Sequence, residues 1–222
     1  MKQLFNQKKI FIFDAFGTLF KTSSFETELE KLVGSKSFDL IALWRRKQLE
    51  YTWLYNQMQQ YIPFDEITKL ALEFSMRHHK IEDEMVRNLL LPIYDCSNLI
   101  EGTLEALSFL KKEGKTVVIL SNGTPTMLQN GIEANGITHF IDHFFSVDSL
   151  QIYKPHPSVY QMALDELKVG FADCLFFSSN QWDVAGASTF GLDSVWVNQY
   201  GEVKENLPYG RVWEIEGLKV LV

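Results

Sequence analysis

The chain alternates between short apolar runs and longer segments in which apolar residues recur at helical spacing. Short continuous apolar runs are typical of parallel strands that are buried on both faces. Four such runs predict four strands: residues 9–13, 116–120, 174–177 and 194–197.

Helical patterns lie between these runs and are bounded by glycine or proline. In residues 103–112, Leu104, Leu107 and Leu110 are predicted to share one face, and Gly114 follows as a stop. Two further predicted helices are residues 125–135, followed by Gly136, and residues 157–167, opened by Pro157. This alternation predicts a parallel sheet with helices on both faces, whose ligands bind at the carboxyl ends of the strands.

The stretch from about residue 20 to residue 97 breaks the alternation, because helical patterns follow one another without a strand. Its apolar residues fall into three groups: Leu40, Trp44, Tyr51, Leu54, Met58 and Tyr61; Ile67, Leu70, Ala71 and Phe74; Met85 and Leu89. We therefore predict an α/β core, residues 1–20 and 98–222, with an inserted helical subdomain, residues 21–97. This subdomain, called the cap, is expected to cover the carboxyl edge of the sheet and to exclude water from it.

Composition and charge narrow the function classes. The 222 residues are 46% hydrophobic and 22% charged, as in an ordinary globular protein with a sizeable core. A net charge of -7 argues against a nucleic-acid partner but leaves a small anionic substrate open. The chain shows neither the apolar stretch of a signal peptide nor a segment long enough to span a membrane. We expect a cytoplasmic protein without a membrane partner.

Cysteine and histidine usage indicates no metal or redox site. Cys96 and Cys174 lack the spacing of metal-binding or redox motifs, and we expect both to be packing residues. His78 and His79 stand near the end of a predicted cap helix, where a cation suits the helix dipole.

Asp14 stands where the first predicted strand ends, and Ala15, Phe16, Gly17 and Thr18 follow it. An aspartate in this position either caps a turn or is a nucleophile displayed on one. Three further polar clusters stand where parallel strands should end: Ser121-Asn122-Gly123, Lys154-Pro155 and residues 178–183. All four clusters are therefore expected to meet at one edge of the sheet.

In this order, residues 14–19, Ser121-Asn122, Lys154-Pro155 and Asp183 resemble the four motifs of the haloacid dehalogenase (HAD) superfamily. Segments 43–53, 119–123 and 178–183 resemble the L-2-haloacid dehalogenases within it, and the resemblance covers nearly the whole chain. It implies a HAD-like, Rossmann-like parallel sheet core with a helical cap. It also implies hydrolysis of L-2-haloalkanoic acids to D-2-hydroxy acids and halide.

The residue two positions after Asp14 separates two reaction classes. Phosphoryl transfer at such a site needs a general acid or base near the nucleophile and several oxygens for Mg²⁺. Phe16 can neither donate nor accept a proton. Asp14 and Asp183 alone supply few carboxylate oxygens for a magnesium ion. A halide leaves as an anion without protonation, so displacement at carbon fits. We expect no metal and no cofactor, with Lys154 keeping Asp14 ionised.

A departing halide needs an electropositive or hydrogen-bonding cradle in a dry pocket. Arg45 shares a mostly apolar helical stripe with Ile41, Leu49 and Trp53. From periodicity alone, Arg45 is either an inward cation or a snorkelling surface arginine, as we expect of its neighbour Arg46. The resemblance favours the halide-binding role for Arg45.

The resulting hypothesis is a two-step reaction. The substrate carboxylate binds the Ser121 hydroxyl and the main-chain N–H groups of Ala15 and Phe16. The Asp14 carboxylate attacks C2 with inversion to form an ester, and Asp183 is the base for the water that hydrolyses this ester. The other predicted site residues are Thr18 beside Asp14, Ser178 and Asn180 after the strand at 174–177, and, by resemblance, Asn122 and Phe64 around the halide.

Four positions keep open questions. Tyr160 matches a family position near the active site, but packing explains a tyrosine there equally well. Trp182 either walls the site or is a core residue. Many close family members have Tyr and Gln where this chain has Phe16 and Arg46, and either change is expected to alter substrate size preference or rate.

Two alternative functions remain: a magnesium-dependent phosphatase of the same superfamily, and a non-catalytic binding protein on the same scaffold. Phe16 and the single acid of the last motif argue against the first. A nucleophile together with a base argues against the second. The resemblance also implies a homodimer formed through the cap, and it leaves the physiological substrate undefined.

Overall fold

The computed structural model describes residues 2–21, 26–94 and 97–222. In this part of the chain, parallel strands form one sheet: β1 (Ile10–Phe13), β2 (Thr116–Ser121), β3 (His143–Ser146), β4 (Cys174–Ser178), β5 (Asp193–Val197) and β6 (Val212–Ile215). Their order across the sheet is β3-β2-β1-β4-β5-β6. This all-parallel sheet confirms the predicted α/β fold class.

Helices surround the sheet and form the insertion between β1 and β2. The α-helices are α1 (Lys2–Gln7), α2 (Glu26–Val33), α3 (Ser37–Met58), α4 (Phe64–His78), α5 (Glu84–Leu90), α6 (Thr103–Lys112), α7 (Pro125–Ala134), α8 (Pro157–Leu167) and α9 (Gln181–Phe190). Short 3₁₀ helices cover Gly34–Lys36, Leu91–Tyr94, Thr138–Phe140, Val147–Ser149, Phe171–Asp173 and Leu218–Leu221. Helices α2 to α5 follow one another without a strand, as the sequence predicts.

The central strand β1 determines where the site forms. Phe13, its last residue, lies opposite Ile119 of β2 and Phe177 of β4. The rings of Phe13 and Phe177 stack at 4.7 Å, and every residue of β1 is buried. The residues that follow β1, β2 and β4 therefore leave the sheet side by side at its carboxyl edge.

Two strands, β3 and β6, were not predicted. Both lie at the edges of the sheet, and only the last residue of each is buried. An edge strand that is covered on one side has no reason to be a continuous apolar run, so the pattern used for the inner strands misses it.

The apolar residues that predicted two of the helices are not all buried. Leu54 and Met58 are 46% and 55% exposed, and Tyr61 lies beyond the end of α3. In α6, Leu104 is 49% exposed, whereas Leu107 and Leu110 are buried. Residues at steps of three drift around a helix of 3.6 residues per turn, so these sets span more than one face. The buried residues of α3 are Leu40, Leu43, Trp44, Gln48 and Thr52.

Some predictions fall at the limits of the described residues. Cys96 and the two ends of the predicted cap, residues 22–25 and 95–96, lie outside them. Cys174 is a buried free cysteine, as predicted. Among the described helices, none combines the length and apolarity needed to cross a bilayer.

Candidate active site

Asp14 is the first residue after β1 and stands on a tight turn. Its N–H still donates to the Phe177 carbonyl oxygen of β4 at 2.9 Å, so its main chain is fixed by the sheet. Gly17 has a φ of +90°, which L side chains rarely adopt, and a Cβ there would lie 3.4 Å from Ser179 Oγ. The glycine therefore allows the chain to turn back while Asp14 stays at the strand end.

The Asp14 carboxylate is held by four side-chain donors. Oδ2 accepts from Thr18 Oγ1 at 3.0 Å, Asn180 Nδ2 at 2.8 Å and Ser178 Oγ at 3.3 Å. Oδ1 accepts from Lys154 Nζ at 3.2 Å. These bonds fix the orientation of the carboxylate. The structure thus brings Thr18, Lys154, Ser178 and Asn180 to Asp14.

Lys154 is fully buried, and its ammonium group lies between two carboxylates. Nζ donates to Asp183 Oδ2 at 2.8 Å, to Asp14 Oδ1 at 3.2 Å and to the Leu120 carbonyl oxygen at 2.5 Å. Burial lowers the pKa of this ammonium group, but the charges of Asp183 and Asp14 outweigh burial and leave the pKa above its ordinary value. The two carboxylates therefore favour the charged form of Lys154.

Asp183 is also fully buried and is shared between Lys154 and Tyr160. Tyr160 donates its hydroxyl to Asp183 Oδ1 at 2.7 Å. Burial, opposed by Lys154 and reinforced by the charge of Asp14, raises the pKa of the Asp183 carboxyl to about 6. Burial and Asp183 raise the pKa of Tyr160 well above its ordinary value, so Tyr160 remains a donor. A carboxylate with a pKa near neutrality is suited to accept a proton.

Asn180 occupies the N-cap position of α9, where an asparagine side chain usually accepts a main-chain N–H of the helix. Here its side chain makes no cap bond and donates instead to Asp14 Oδ2 and, at 3.4 Å, to the Phe16 carbonyl oxygen. The Ser178 hydroxyl accepts the Asn180 N–H at 3.0 Å. The Asn180 side chain therefore binds Asp14 instead of stabilising the end of α9.

The turn after β2 faces the turn after β1. Asn122 Oδ1 accepts the main-chain N–H of Lys154 at 2.9 Å, and Ser121 Oγ accepts the Gly123 N–H at 3.0 Å. A Cβ atom on Gly123 would lie 2.6 Å from Cε2 of Phe16. The Phe16 ring therefore packs directly on Gly123, and Phe16 is only 5% exposed.

Arg45 extends from α3 toward the Asp14 turn. Its Nη2 lies 3.9 Å from the position that a Cβ atom would take on Gly17. Its Nη1 donates to Gln48 Oε1 at 2.9 Å, and Gln48 Nε2 donates to Thr68 Oγ1 of α4 at 2.6 Å. Arg45 is half-buried, whereas Arg46 is exposed. Of the two interpretations of Arg45, this geometry supports the inward cation.

A cavity of about 280 Å³ lies beside these groups, and Gly17, Arg45, Leu49, Asn180 and Trp182 contribute to its lining. Trp182 is half-buried, and its ring meets that of Trp53 in α3 edge-on at 6.0 Å. The enclosed indole N–H of Trp182 has no acceptor among the described residues.

Phe64 and Ala15 are both buried. Phe64 opens α4, and its ring lies 6.2 Å from that of Tyr153, the residue before Lys154. Ala15 directly follows Asp14 in the turn.

The residues around Asp14 do not fit a magnesium site. A bridging dication would need the space between carboxylates, and the Lys154 ammonium occupies that space between Asp14 and Asp183. Across residues 2–21, 26–94 and 97–222, no group of three or more His, Cys, Asp or Glu residues could hold a metal ion.

Two supporting residues had no predicted role. Ser179 donates its hydroxyl to the Gly17 carbonyl oxygen at 2.5 Å and its N–H to Thr18 Oγ1 at 2.9 Å. Gln48 is fully buried and joins Arg45 to α4. The position of Ser179 at a strand end and the polarity of Gln48 within an apolar stripe were visible signals, but their partners were not.

Comparison with known proteins shows which family the chain belongs to. The model of haloacid dehalogenase-like hydrolases matches residues 8–191. The chain belongs to this family of hydrolases. One relative of this HAD-like hydrolase, the (S)-2-haloacid dehalogenase of Pseudomonas sp. (strain YL), is 36% identical over 211 residues, which are 95% of this chain and 91% of the relative. The (S)-2-haloacid dehalogenase 4A of Burkholderia cepacia is 38% identical over 195 residues, 87% of this chain and 84% of the relative.

A solved structure extends this HAD-like similarity to three dimensions. The L-2-haloacid dehalogenase from Xanthobacter autotrophicus with chloropropionic acid covalently bound superposes with a TM-score of 0.88 at 28% identity. The match covers 96% of each chain. The resemblance inferred from the motifs is thus confirmed.

Proposed function

We propose that this protein is an (S)-2-haloacid dehalogenase that converts L-2-haloalkanoic acids to D-2-hydroxy acids and halide. The observation that carries the proposal is the Lys154 ammonium held between Asp14 and Asp183, with Phe16 two residues after the nucleophile. Nucleophile and base are both in place. The position from which an acid would protonate an oxygen leaving group carries a side chain without a proton to give.

In the first step, an oxygen of the Asp14 carboxylate bonds to C2 of the substrate as the carbon–halogen bond breaks. The halide leaves with the bonding electrons, and attack from the opposite side inverts C2. Arg45 stabilises the departing halide, because its guanidinium group reaches the Asp14 turn from the cap. Asn122, Phe64 and Trp182 complete the surroundings of the substrate.

The substrate carboxylate is held on the opposite side. We assign the Ser121 hydroxyl and the N–H groups of Ala15 and Phe16 to it, because these groups belong to the two turns that face each other. Main-chain donors fixed by a strand end orient a carboxylate without reorganisation.

In the second step, Asp183 takes a proton from a water molecule, whose oxygen attacks the carbonyl carbon of the Asp14 ester. The acyl carbon–oxygen bond breaks, the product oxygen receives the proton, and the water oxygen remains in Asp14. Lys154 and Tyr160 hold Asp183 for this role, and Thr18, Ser178 and Asn180 hold Asp14.

Neither step requires a metal ion or another cofactor, because the leaving group needs no proton and Lys154 supplies the local positive charge. We assign residues 21–97 to the cap and residues 1–20 and 98–222 to the core. This division is supported by α2 to α5, which lie between β1 and α6 and carry Arg45 and Phe64 to the site.

The proposal includes a cytoplasmic homodimer with a small haloacid as its substrate and no nucleic-acid or membrane partner. The cap exposes large apolar side chains that a second copy would cover: Phe38, Trp53, Leu54, Met58, Leu70 and Met85. The buried free thiol of Cys174 suits a reducing compartment.

One assay tests this function. The protein is incubated with L-2-chloropropionate and, separately, with a generic phosphate ester, each with and without EDTA, and Asp14→Asn is the folded, inactive control. We expect halide release that EDTA does not change and that Asp14→Asn abolishes. Phosphate release that depends on magnesium, or no reaction with either substrate, contradicts the proposal.

A further inference from the structure

The cap contacts the core at a second place, beside Lys154 rather than at Arg45. Asn56, near the end of α3, makes two hydrogen bonds with the main chain of Tyr153. Its Nδ2 donates to the Tyr153 carbonyl oxygen at 2.9 Å, and its Oδ1 accepts the Tyr153 N–H at 2.8 Å. A cap side chain thus satisfies both main-chain groups of the residue that precedes Lys154.

The Tyr153 side chain is held by the cap as well. It is fully buried, its hydroxyl donates to the Ile62 carbonyl oxygen at 2.7 Å, and its ring lies 5.0 Å from that of Tyr61. The Tyr61 hydroxyl in turn donates to Asp148 of the core. Two short links therefore join the loop between α3 and α4 to the segment that leads into α8.

Lys154 has little freedom to absorb a shift of this segment. Its main-chain N–H is held by Asn122, and its Nζ is held by Asp183, Asp14 and the Leu120 carbonyl oxygen. Tyr153 shares a peptide bond with Lys154, so a displacement of Tyr153 changes the position of the ammonium group. Charge-assisted hydrogen bonds weaken steeply with such misplacement.

We propose that Asn56 is a positioning residue that transmits the docking of the cap to Lys154, so that the ammonium group stays between Asp14 and Asp183. Tyr61 supports the same link through Asp148. The inference rests on the proposed function, since it concerns the geometry of the same reaction. The cap then has two roles, because Arg45 receives the halide and Asn56 places the cation that both carboxylates share.

Asn56→Leu tests the link, because leucine keeps the approximate size of asparagine and leaves the Tyr153 N–H and carbonyl oxygen without partners. Gln57→Leu also replaces an amide side chain with leucine, at an exposed neighbouring position of α3, and is the matched control. Tyr61→Phe removes one hydroxyl from the link and is the second test variant if Asn56→Leu does not fold. The readouts are kcat, KM, the pH profile of kcat, and the titration of the Asp183 carboxyl by carbon NMR.

We expect Asn56→Leu to lower kcat by about tenfold or more, as misplacement of a catalytic group does. KM should stay within about threefold, because no group assigned to the substrate changes. The charged and titratable groups that face Asp183 are Lys154, Asp14 and Tyr160. Retreat of Lys154 removes the one cation among them, so the acid limb of the pH profile and the Asp183 titration should both move to higher pH.

The outcomes separate the two proposals. If the wild type releases no halide, the proposed function fails, and the Asp183 titration alone decides whether Asn56 positions Lys154. If the wild type is active and folded Asn56→Leu keeps its kcat, its pH profile and its Asp183 titration, Asn56 has only a structural role and the inference is wrong. An equal loss in Gln57→Leu also overturns it.

Discussion

At the scale of single residues, the site depends on three buried charges. Lys154 carries one positive charge between two carboxylates, and removing it would leave Asp14 and Asp183 buried without a counter-ion. Burial and the charge of Asp14 act on Asp183 in the same direction, and Lys154 alone opposes them. This balance raises the pKa of the Asp183 carboxyl above its ordinary value.

The pH dependence of turnover follows from this balance. Asp183 must be ionised to accept a proton from water, and its pKa is raised to about 6. The charge of Asp14 contributes to this rise and is lost in the Asp14 ester, on which Asp183 acts. We therefore expect kcat to be level above about pH 6, before other groups titrate, and to fall at a more acidic pH. Halide release under saturating substrate, measured across the acidic and neutral range, checks this.

A companion variant identifies the titrating group. Asp183→Asn should form the Asp14 ester with one equivalent of halide released and then stop, because the base is missing. Continued turnover by folded Asp183→Asn would show that Asp183 is not the base.

At the scale of elements, the turns after β1 and β2 fit against each other. The Phe16 ring lies against Gly123, where a Cβ atom would stand 2.6 Å from the ring. One of the two partners must be small for both turns to reach the carboxyl edge of the sheet. The contact also places Ser121 and the main-chain groups of Ala15 and Phe16 near one another.

Gly123→Ala should therefore destabilise the protein by about 1–3 kcal/mol, the usual cost of overpacking a buried contact. Phe16→Leu in the same chain should recover part of this loss, because it removes the ring atoms that the new methyl group meets. Urea unfolding of the single and double variants measures both effects.

Gly170→Ala is the control for the glycine change, since a Cβ at Gly170 meets nothing within 4 Å. A Gly123→Ala protein as stable as this control would show that the two turns do not form the described contact.

The elements also show how far the sequence could predict this protein. The inner strands and the helices α6 and α8 were visible, because burial on both faces and glycine or proline boundaries leave a local pattern. The edge strands β3 and β6 were not, since their stability comes from pairing with β2 and β5. At the site, the residue types and the order of the motifs were enough to predict Asp14, Lys154 and Asp183 as site residues.

The links between elements left no such pattern. Asn180 donates to Asp14 instead of capping its own helix, and Asn56 donates to the Tyr153 carbonyl oxygen. Neither hydrogen bond follows from residue spacing. Both bonds join residues that are far apart in the chain. Only the folded arrangement brings them together.

At the scale of the whole molecule, the sheet order and the helices inserted between β1 and β2 together build the site. Strand β1 lies between β2 and β4, so Asp14 stands between the turn that carries Ser121 and Asn122 and the turn that carries Asn180. Helix α3 of the insertion between β1 and β2 brings Arg45 to the same place from the other side. The groups that we propose as nucleophile, halide-binding cation and base thus lie in one largely buried site.

The proposed reaction requires that Asp14 becomes covalently bound to the substrate and that water then attacks Asp14. A single turnover in isotopically labelled water, with enzyme in excess over L-2-chloropropionate, decides this by mass spectrometry of the product and of the peptide that contains Asp14. We expect label in the Asp14 carboxylate and unlabelled D-lactate. Label in the lactate and none in Asp14 would show that water attacks C2 directly, and the covalent mechanism would be wrong.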